Sequence, residues 1–332
     1  MKRAVDSHDH HPPVLAAARS VAIDGLSALA QTATLSSHTF RRMLVCGGDA
    51  ITQVPATRWD VHAQPALPEP MASRVRHAGF VCGAELTDNV AFAVSPAEAA
   101  AMDPCQRLVL EFGYAALHDA PLDRTGLGGS LTGFFLGFSG TEFAQVLRAS
   151  PAGGSVYAAT GSSASIAAGR LSYTLGLHGP CVSYDTACSA ALSAHHAGLR
   201  ALQNDECAIG LVTAVHLMLL PGVGTSFAIA GMTSAAGRSH TFDARADGYA
   251  RGEACASSTL CREHGDEAER GVHVDGNFVL FDNLHDVVPV SPAPQRASRS
   301  STKRQRKGKG RAVTAASSCS SSSSSDGESH DR

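Results

Sequence analysis

The sequence is poor in the features that mark secreted, metal-binding and membrane proteins. It has no run of 18 apolar residues, and its N-terminus lacks a continuous apolar signal core. No cysteine pair has the CxxC spacing of zinc or redox sites. We therefore expect a cytoplasmic chain with reduced thiols and no membrane association, and an organelle transit peptide stays open. The nine cysteines lie at positions 46, 82, 105, 181, 188, 207, 255, 261 and 319.

Neither positive nor negative charge predominates in the sequence. Lys plus Arg number 27 against 30 Asp plus Glu, which gives a formal net charge of −3. This balance argues against nucleic acid as a partner of the whole chain. With 332 residues, 44% of them hydrophobic, the chain can bury a substantial core. A soluble globular protein is the class that remains.

Composition divides the chain into four parts. Residues 1–20 predict a loose polar tail, and residues 21–260 have the texture of a packed α/β domain. Residues 261–290 form a divergent segment, and residues 291–332 predict a disordered basic and Ser-rich tail. Its basic run, 296–311, is also compatible with a nuclear-localisation or RNA-binding patch, but we favour a solvated tail.

Histidines in the N-terminal tail offer one possible metal site. His8, His10 and His11 are close in sequence. No rigid scaffold fixes their geometry, so we favour a disordered tail over metal binding and predict no metal site.

Within the domain, strand-like runs alternate with helix-like runs. Leu131–Gly137 and Ile209–Val215 read as buried strands. Ser95, followed by Pro96 and then by Glu98, predicts the N-cap of one helix extending to His118. This alternation predicts an α/β fold.

The stretch Val182–His196, VSYDTACSAALSAHH, carries the strongest chemical signal. Cys188 lies between a β-prone run and an Ala/Leu-rich run, which places its thiol at the N-terminus of a helix. The helix dipole there favours thiolate, the nucleophilic form. His195 and His196 are about 10 to 12 Å farther along the same helix, too far to act as its base. Cys188 is the predicted catalytic nucleophile.

Six ordered blocks resemble the N-terminal half of β-ketoacyl synthases, most closely the ketosynthase domains of type I polyketide synthases. In Ser95–Glu111, Cys105 replaces a Gln of the family's Met-Asp-Pro-Gln-Gln-Arg core. DTACSAAL matches the nucleophile motif, with Ala190 and Ala191 where serines are usual. The blocks are Gly48–Asp60, Arg76–Phe80, Ser95–Glu111, Tyr157–Pro180, Asp185–Leu192 and Thr241–Glu253. Six blocks in the right order are far more specific than one motif.

The resemblance implies a thiolase-like αβαβα fold, with the N-terminal half present and the C-terminal half largely missing. It implies a β-ketoacyl-acyl carrier protein synthase of polyketide or fatty-acid biosynthesis. Cys188 would take an acyl group from the phosphopantetheine of an acyl carrier protein, and a decarboxylating malonyl-type thioester would then attack that group. The chain would hold no cofactor of its own and would form a homodimer.

Several family features have no counterpart in this sequence. Its histidines lie in neither a His-Gly-Thr-Gly-Thr block nor an Asn-Ile-Gly-His-type block, and there is no Gly-Phe-Gly-Gly stretch. After the last block comes ACASSTL, poor in β-branched apolar residues. We also expect an apolar face meant to pack against the second half.

These departures leave other readings of the chain open. One is a catalytically incomplete homologue that acts as a dimerisation or acyl-binding partner. Another is a truncated gene product, which we favour for the divergent end. A third is a thiol hydrolase of another fold, for which no candidate base lies in supporting context.

The remaining candidate residues have structural interpretations. Cys181 and Cys207 are expected to pack, and Asp185 and Thr186 to shape the turn before the nucleophile. The helix after Cys188 is expected to turn one set of side chains toward the core: Ala191, Leu192, His195, Leu199 and Leu202. A charged structural network is expected from Asp243, Asp247, Arg251 and Glu253.

Overall fold

A computed structural model describes residues 20–31, 42–140 and 142–262. Residues 1–19 of the predicted N-terminal tail, with its three histidines, lie outside the described residues, as do residues 263–290 and the whole of 291–332, so those boundaries remain predictions. The strands are β1 Val21–Leu29, β2 Ile51–Gln53, β3 His77–Gly79, β4 Thr132–Phe138, β5 Cys181–Tyr184, β6 Ile209–His216 and β7 Ala254–Arg262.

Helices connect most of these strands. The α-helices are α1 over 42–45, α2 Met71–Arg74, α3 Pro96–Ala101, α4 Pro104–Asp119, α5 Arg124–Leu127, α6 Glu142–Arg148, α7 Ala158–Gly161, α8 Ala164–Leu175, α9 Ala190–Gln203 and α10 Pro221–Ile229. Two 3₁₀ helices are η1 Pro151–Gly154 and η2 Ala187–Ser189. No helix in the described part of the chain is long and apolar enough to cross a membrane.

A five-stranded mixed sheet in the order β1-β7-β6-β4-β5 organises the fold. β4 runs parallel to both β5 and β6, whereas β7 is antiparallel to β6 and β1. The predicted strands Leu131–Gly137 and Ile209–Val215 correspond to β4 and β6, which confirms both. A separate small ribbon pairs β2 with β3. The parallel strands therefore end at one edge of the sheet, where the loops after β4, β5 and β6 meet.

Helices cover both faces of this sheet because its central strands are apolar on both sides. Phe134 and Leu136 of β4 belong to the core beneath α4 and α8. Phe135, the residue between them, packs on the opposite face against Ala194 and Leu202 of α9. The alternation follows from the two-residue period of a strand, and it gives one α/β/α half of the expected five-layer arrangement.

The single helix predicted over Pro96–His118 is wrong in one respect. It is divided into α3 and α4, because Met102 is extended with ψ of 131° ahead of the Asp103-Pro104 pair. Proline disfavours helical geometry in the residue before it and is well suited to a first turn. Asp103 caps α4 by accepting the Cys105 N–H. The predicted cap at Ser95 is confirmed, since it accepts the Glu98 N–H.

Candidate active site

Three connections converge at the carboxyl edge of the parallel strands. β4 leads to Glu142 at the start of α6, β5 leads to Cys188, and β6 leads to the Leu219-Leu220 pair before α10. In α/β sheets, ligands bind outside this edge of the strands. The predicted nucleophile is therefore in the part of the fold where a site is expected.

The turn before Cys188 is held by its own polar side chains. Ala187 has a φ of +55°, and the Asp185 carboxylate accepts its N–H at 3.1 Å. The Thr186 hydroxyl lies 3.0 Å from the Ser193 hydroxyl, one turn into α9, and the Ser189 hydroxyl donates to the Thr186 carbonyl. The roles predicted for Asp185 and Thr186 are confirmed. Cys188 itself is exposed, within η2 and directly before α9.

The start of α9 lies directly against β4. A Cβ built on Gly137 would be 2.8 Å from the Ala191 nitrogen and 2.9 Å from the Ala190 carbonyl carbon. Glycine at this strand position therefore allows the contact, and the small side chains of Ala190 and Ala191 complete it. This explains physically why alanines are accommodated where the family usually has serines.

The expected core face of α9 is confirmed for Ala191 and Leu202, is half-buried at His195 and Leu199, and is wrong for Leu192. Leu192 is 61% exposed, and the residues of α9 that are buried are Ala190, Ala191, Ala194, Gly198, Ala201 and Leu202. Close packing against the strands selects small residues, so the larger leucine points outward. Leu192 is thus part of the expected apolar exposure on this side of the domain.

Neither neighbouring histidine is bonded to the nucleophile. His195 is partly buried, and burial lowers its pKa below the usual value, which favours a neutral ring. His196 is exposed. No hydrogen bond joins either ring to Cys188 among the residues that the structure describes, in agreement with the distance expected along α9.

The segment 249–253 contains a residue within electrostatic range of the nucleophile. Tyr249 interacts electrostatically with both Cys188 and Arg251, and burial is the main cause that raises its pKa. Tyr249 donates its backbone N–H to the Met232 carbonyl and accepts the Ser234 N–H, which fixes the segment beside α10. Tyr249 is a neighbour of Cys188 that the sequence did not single out.

Glu253 anchors this segment in the core. It is fully buried, and its carboxylate accepts from Arg58 Nε at 2.9 Å and Nη2 at 2.8 Å. It also accepts the backbone N–H groups of Val81 and Met218. Sequence reasoning missed Arg58, which is 195 positions away and carries no local signal of this partnership.

The expected network of four charged residues is wrong as a single unit. Asp243 pairs at the surface with Arg245, and Asp247 accepts the Ala235 N–H. Only Arg251 and Glu253 are buried. The reason is that residues two and four positions apart in an irregular loop need not share one side of it.

The other cysteines divide by burial. Cys207 is buried as predicted, but Cys181 is exposed, because β5 is the outermost strand of the sheet. Burial raises the pKa of the Cys105 and Cys207 thiols, which makes them poor nucleophiles. Across the described ranges, no group of three or more His, Cys, Asp or Glu side chains could hold a metal.

The α/β half-fold and the exposed cysteine at its strand-to-helix turn agree with the class of condensing enzymes that the sequence blocks resemble. The profile "Beta-ketoacyl synthase, N-terminal domain" matches residues 18–265, so the chain belongs to the β-ketoacyl synthase family. The predicted family and the thiolase-like fold class are confirmed, with the N-terminal part represented.

Particular relatives are polyketide synthases. Polyketide synthase GfsB of Streptomyces halstedii is 38% identical over 301 residues, which cover 87% of this chain. The spectinabilin polyketide synthase system protein NorC of Streptomyces orinoci is 38% identical over 265 residues, 79% of this chain. The chain spans only 5% and 12% of these two relatives.

Solved ketosynthases have the same fold. The ketosynthase from module 6 of the bacillaene synthase of Bacillus subtilis 168, in a mutant form, matches with a TM-score of 0.68 at 33% identity. The oxazolomycin ketosynthase domain of Streptomyces albus JA3453 matches with a TM-score of 0.67 at 29% identity. Each match covers 75% of this chain, and 41% and 43% of the respective solved chains.

Proposed function

We propose that this chain carries the acyl-accepting part of a polyketide ketosynthase. The Cys188 thiolate attacks the thioester carbonyl of an acyl group on the phosphopantetheine of an acyl carrier protein. The acyl group is transferred to Cys188, and the carrier thiol leaves. The observation that carries this proposal is the exposed Cys188 at the turn between β5 and α9, in a chain of the ketosynthase family.

The complete reaction would add a decarboxylative Claisen condensation with a malonyl-type thioester. Carbon dioxide leaves the extender, and the resulting carbanion attacks the carbonyl of the Cys188 thioester. The C–S bond to Cys188 breaks, the Cys188 thiolate leaves, and a β-ketoacyl chain two carbons longer remains on the thioester of the extender. Loading has more support than condensation, because neither family histidine block occurs in the sequence. Hydrogen-bond donors aimed at developing negative charge contribute a few kcal/mol to such steps.

Loading is tested by incubating the purified chain with a propionyl-pantetheine thioester and mapping the added mass by peptide mass spectrometry. We expect a propionyl group on Cys188 and none after Cys188→Ser. Cys46→Ser is the matched control, since it removes another exposed thiol and should still load. Absence of mass on Cys188 in the folded wild type would contradict the proposal.

Condensation is tested by adding a malonyl-loaded acyl carrier protein to the propionylated chain and measuring carbon dioxide release. Release that depends on Cys188 would support the full reaction. Loading without release would instead favour a chain that binds acyl groups and does not extend them.

That second function, a dimerisation or acyl-binding partner, has an observation of its own. β5 is an outer strand of the sheet, and Cys181 and Val182 on it are exposed. An outer strand leaves backbone donors and acceptors available to another chain. A homodimer formed through β5 is therefore part of the proposal under either function.

A further inference from the structure

Arg251 is a buried cation without a hydrogen-bonded acceptor for its guanidinium in the described part of the structure. The residue is only 7% exposed. One face of its guanidinium stacks on the Phe227 ring of α10, 5.3 Å from the centroid. Stacking uses the face of the group and leaves the N–H donors at its edge available. The buried side-chain nitrogen and oxygen atoms without partners in the described residues include none of Arg251, so its donors are still reached by solvent.

The nearby carboxylates are already bonded elsewhere. Glu253 is bonded to Arg58 and to two backbone N–H groups. Glu142 Oε2 accepts the N–H groups of Leu219 at 2.6 Å and Leu220 at 2.9 Å. Burial lowers the pKa of Arg251, and the charges of Glu142 and Glu253 partly offset this. The charges of Glu142 and Glu253 partly compensate that of Arg251, but neither carboxylate accepts a hydrogen bond from its guanidinium.

The N-terminus of α10 adds donors beside the guanidinium. No side chain caps it. Pro221 has no N–H and the Leu220 N–H is bonded to Glu142, so the donors of the first turn that lack a partner within the helix are those of Gly222 and Val223. A Cβ built on Gly224 would be 3.2 Å from Arg251 Nη1, so the guanidinium lies against this first turn. A Cβ built on Gly222 would meet nothing within 4 Å. Open space, helix N–H groups and a cation thus occur together.

We propose that Arg251 and the first turn of α10 form a carboxylate-binding subsite beside the nucleophile. A carboxylate is planar and matches the two parallel donors of a guanidinium, and a helix N-terminus favours an anion. β5 and β6 both run parallel to β4, so the turn that carries Cys188 and the loop that leads into α10 leave the same edge of the sheet. Glu142, which already accepts from the loop before α10, opposes a second anion, so we expect weak binding of small carboxylates.

Two sources could supply this carboxylate. One is a free dicarboxylate such as malonate. The other is the free carboxylate of a malonyl-type thioester, an assignment that rests on the proposed function. The chemistry at Arg251 is the same for both, and a neutral acyl thioester would not use the subsite.

The binding test follows the arginine side-chain N–H signals of the full chain by NMR during titration with sodium malonate, with neutral malonamide as control. We expect malonate to shift the Arg251 signal and malonamide to leave it unchanged. Arg251→Gln should weaken malonate binding about tenfold or more, as expected for a lost charged hydrogen bond. The matched control is Arg245→Gln, which removes a surface arginine paired with Asp243 and should bind as the wild type does.

An unmoved Arg251 signal in the wild type, or equal malonate binding by folded Arg251→Gln, would overturn the proposal. If Arg251→Gln does not fold, Arg251→Lys keeps the charge and loses the fork, and it should bind several-fold more weakly. A lysine variant that binds malonate as tightly as the wild type would also count against the subsite.

A second titration separates the two sources and uses Cys188→Ser, which cannot be acylated. Malonyl-pantetheine and propionyl-pantetheine thioesters are compared. Binding of malonyl-pantetheine that depends on Arg251, with no such binding of propionyl-pantetheine, assigns the subsite to the extender. Binding of free malonate with no binding of malonyl-pantetheine assigns it to a free dicarboxylate. Propionyl loading of Cys188 is measured separately in the chain with Arg251 intact, so failure of loading and failure of the subsite are distinguishable.

Discussion

At the scale of single residues, we expect buried charged side chains to affect the stability of the domain more than exposed ones do. Glu253 is satisfied by four donors, and breaking such a buried pair costs about 3 to 5 kcal/mol. Asp103 is buried at the N-cap of α4, where burial is the main cause that raises its pKa to about 6. The Cys105 N–H and the charge of Arg107 oppose that increase.

The pKa of Asp103 predicts a specific pH dependence of stability. The folded chain holds the proton on Asp103 more tightly than the unfolded chain does. The stability that this protonation contributes is therefore present below about pH 4 and is lost as pH rises through about 6. Asp103→Asn keeps the capping oxygen and removes the titration. The wild type should therefore lose on the order of 2 kcal/mol relative to the variant between pH 4 and 7.

Urea unfolding of both proteins at intervals of pH measures this difference. Groups other than Asp103 titrate in both proteins and cancel in the comparison. A difference in unfolding free energy between the two proteins that stays constant from pH 4 to 7, or changes in the opposite direction, would show that the pKa of Asp103 is not raised in the folded chain.

At the scale of elements, the position of the nucleophile depends on how closely α9 approaches β4. The strand end at Tyr184, the turn and the first residues of α9 are held together by short polar contacts. Gly137 provides the space on the β4 side. A larger residue there would move the beginning of α9, and Cys188 with it.

Gly137→Ala tests this contact. Its Cβ would come within 3 Å of the backbone of Ala190 and Ala191, so we expect a destabilisation of about 1 to 3 kcal/mol and slower propionyl loading of Cys188. Urea unfolding and the rate of mass addition measure the two effects. Gly140→Ala is the matched control, because its Cβ would meet nothing within 4 Å. Equal behaviour of the two variants would argue against the close approach as the determinant.

At the scale of the whole molecule, the two edges of the sheet differ in their surroundings. β1 closes one side beside β7, and β5 ends the other with exposed Cys181 and Val182. Leu192 on α9 adds a further exposed apolar side chain. The proposed homodimer would use the β5 side of this sheet.

Val182→Lys tests the proposed homodimer. A lysine on the outer strand disfavours pairing between edges, so we expect a dimer for the wild type and a shift toward monomer for the variant in sedimentation velocity. Val156→Lys is the matched control, because Val156 is exposed outside the sheet and should leave the dimer intact. A wild type that stays monomeric across the accessible concentrations would contradict assembly through β5.

Local sequence patterns sufficed for several elements. The cap at Ser95, the turn at Asp185, the apolar runs of β4 and β6, and the strand-to-helix passage at Cys188 follow from neighbouring residues. β7 has a weaker local signal, because ACASSTL is short of β-branched apolar residues. Its polar side chains find partners across the sheet, such as Thr213 for Ser257.

The sequence by itself determined the family, the fold class and the candidate nucleophile, because these depend on motifs whose residues are adjacent in the chain. The tertiary structure alone decided that Cys181 and Leu192 are exposed, since burial depends on which strand is outermost and how closely a helix packs. It also brought Arg58 to Glu253, and Arg251 to α10. The physical reason is that hydrogen bonds and charge pairs between distant segments leave no periodic pattern in the sequence.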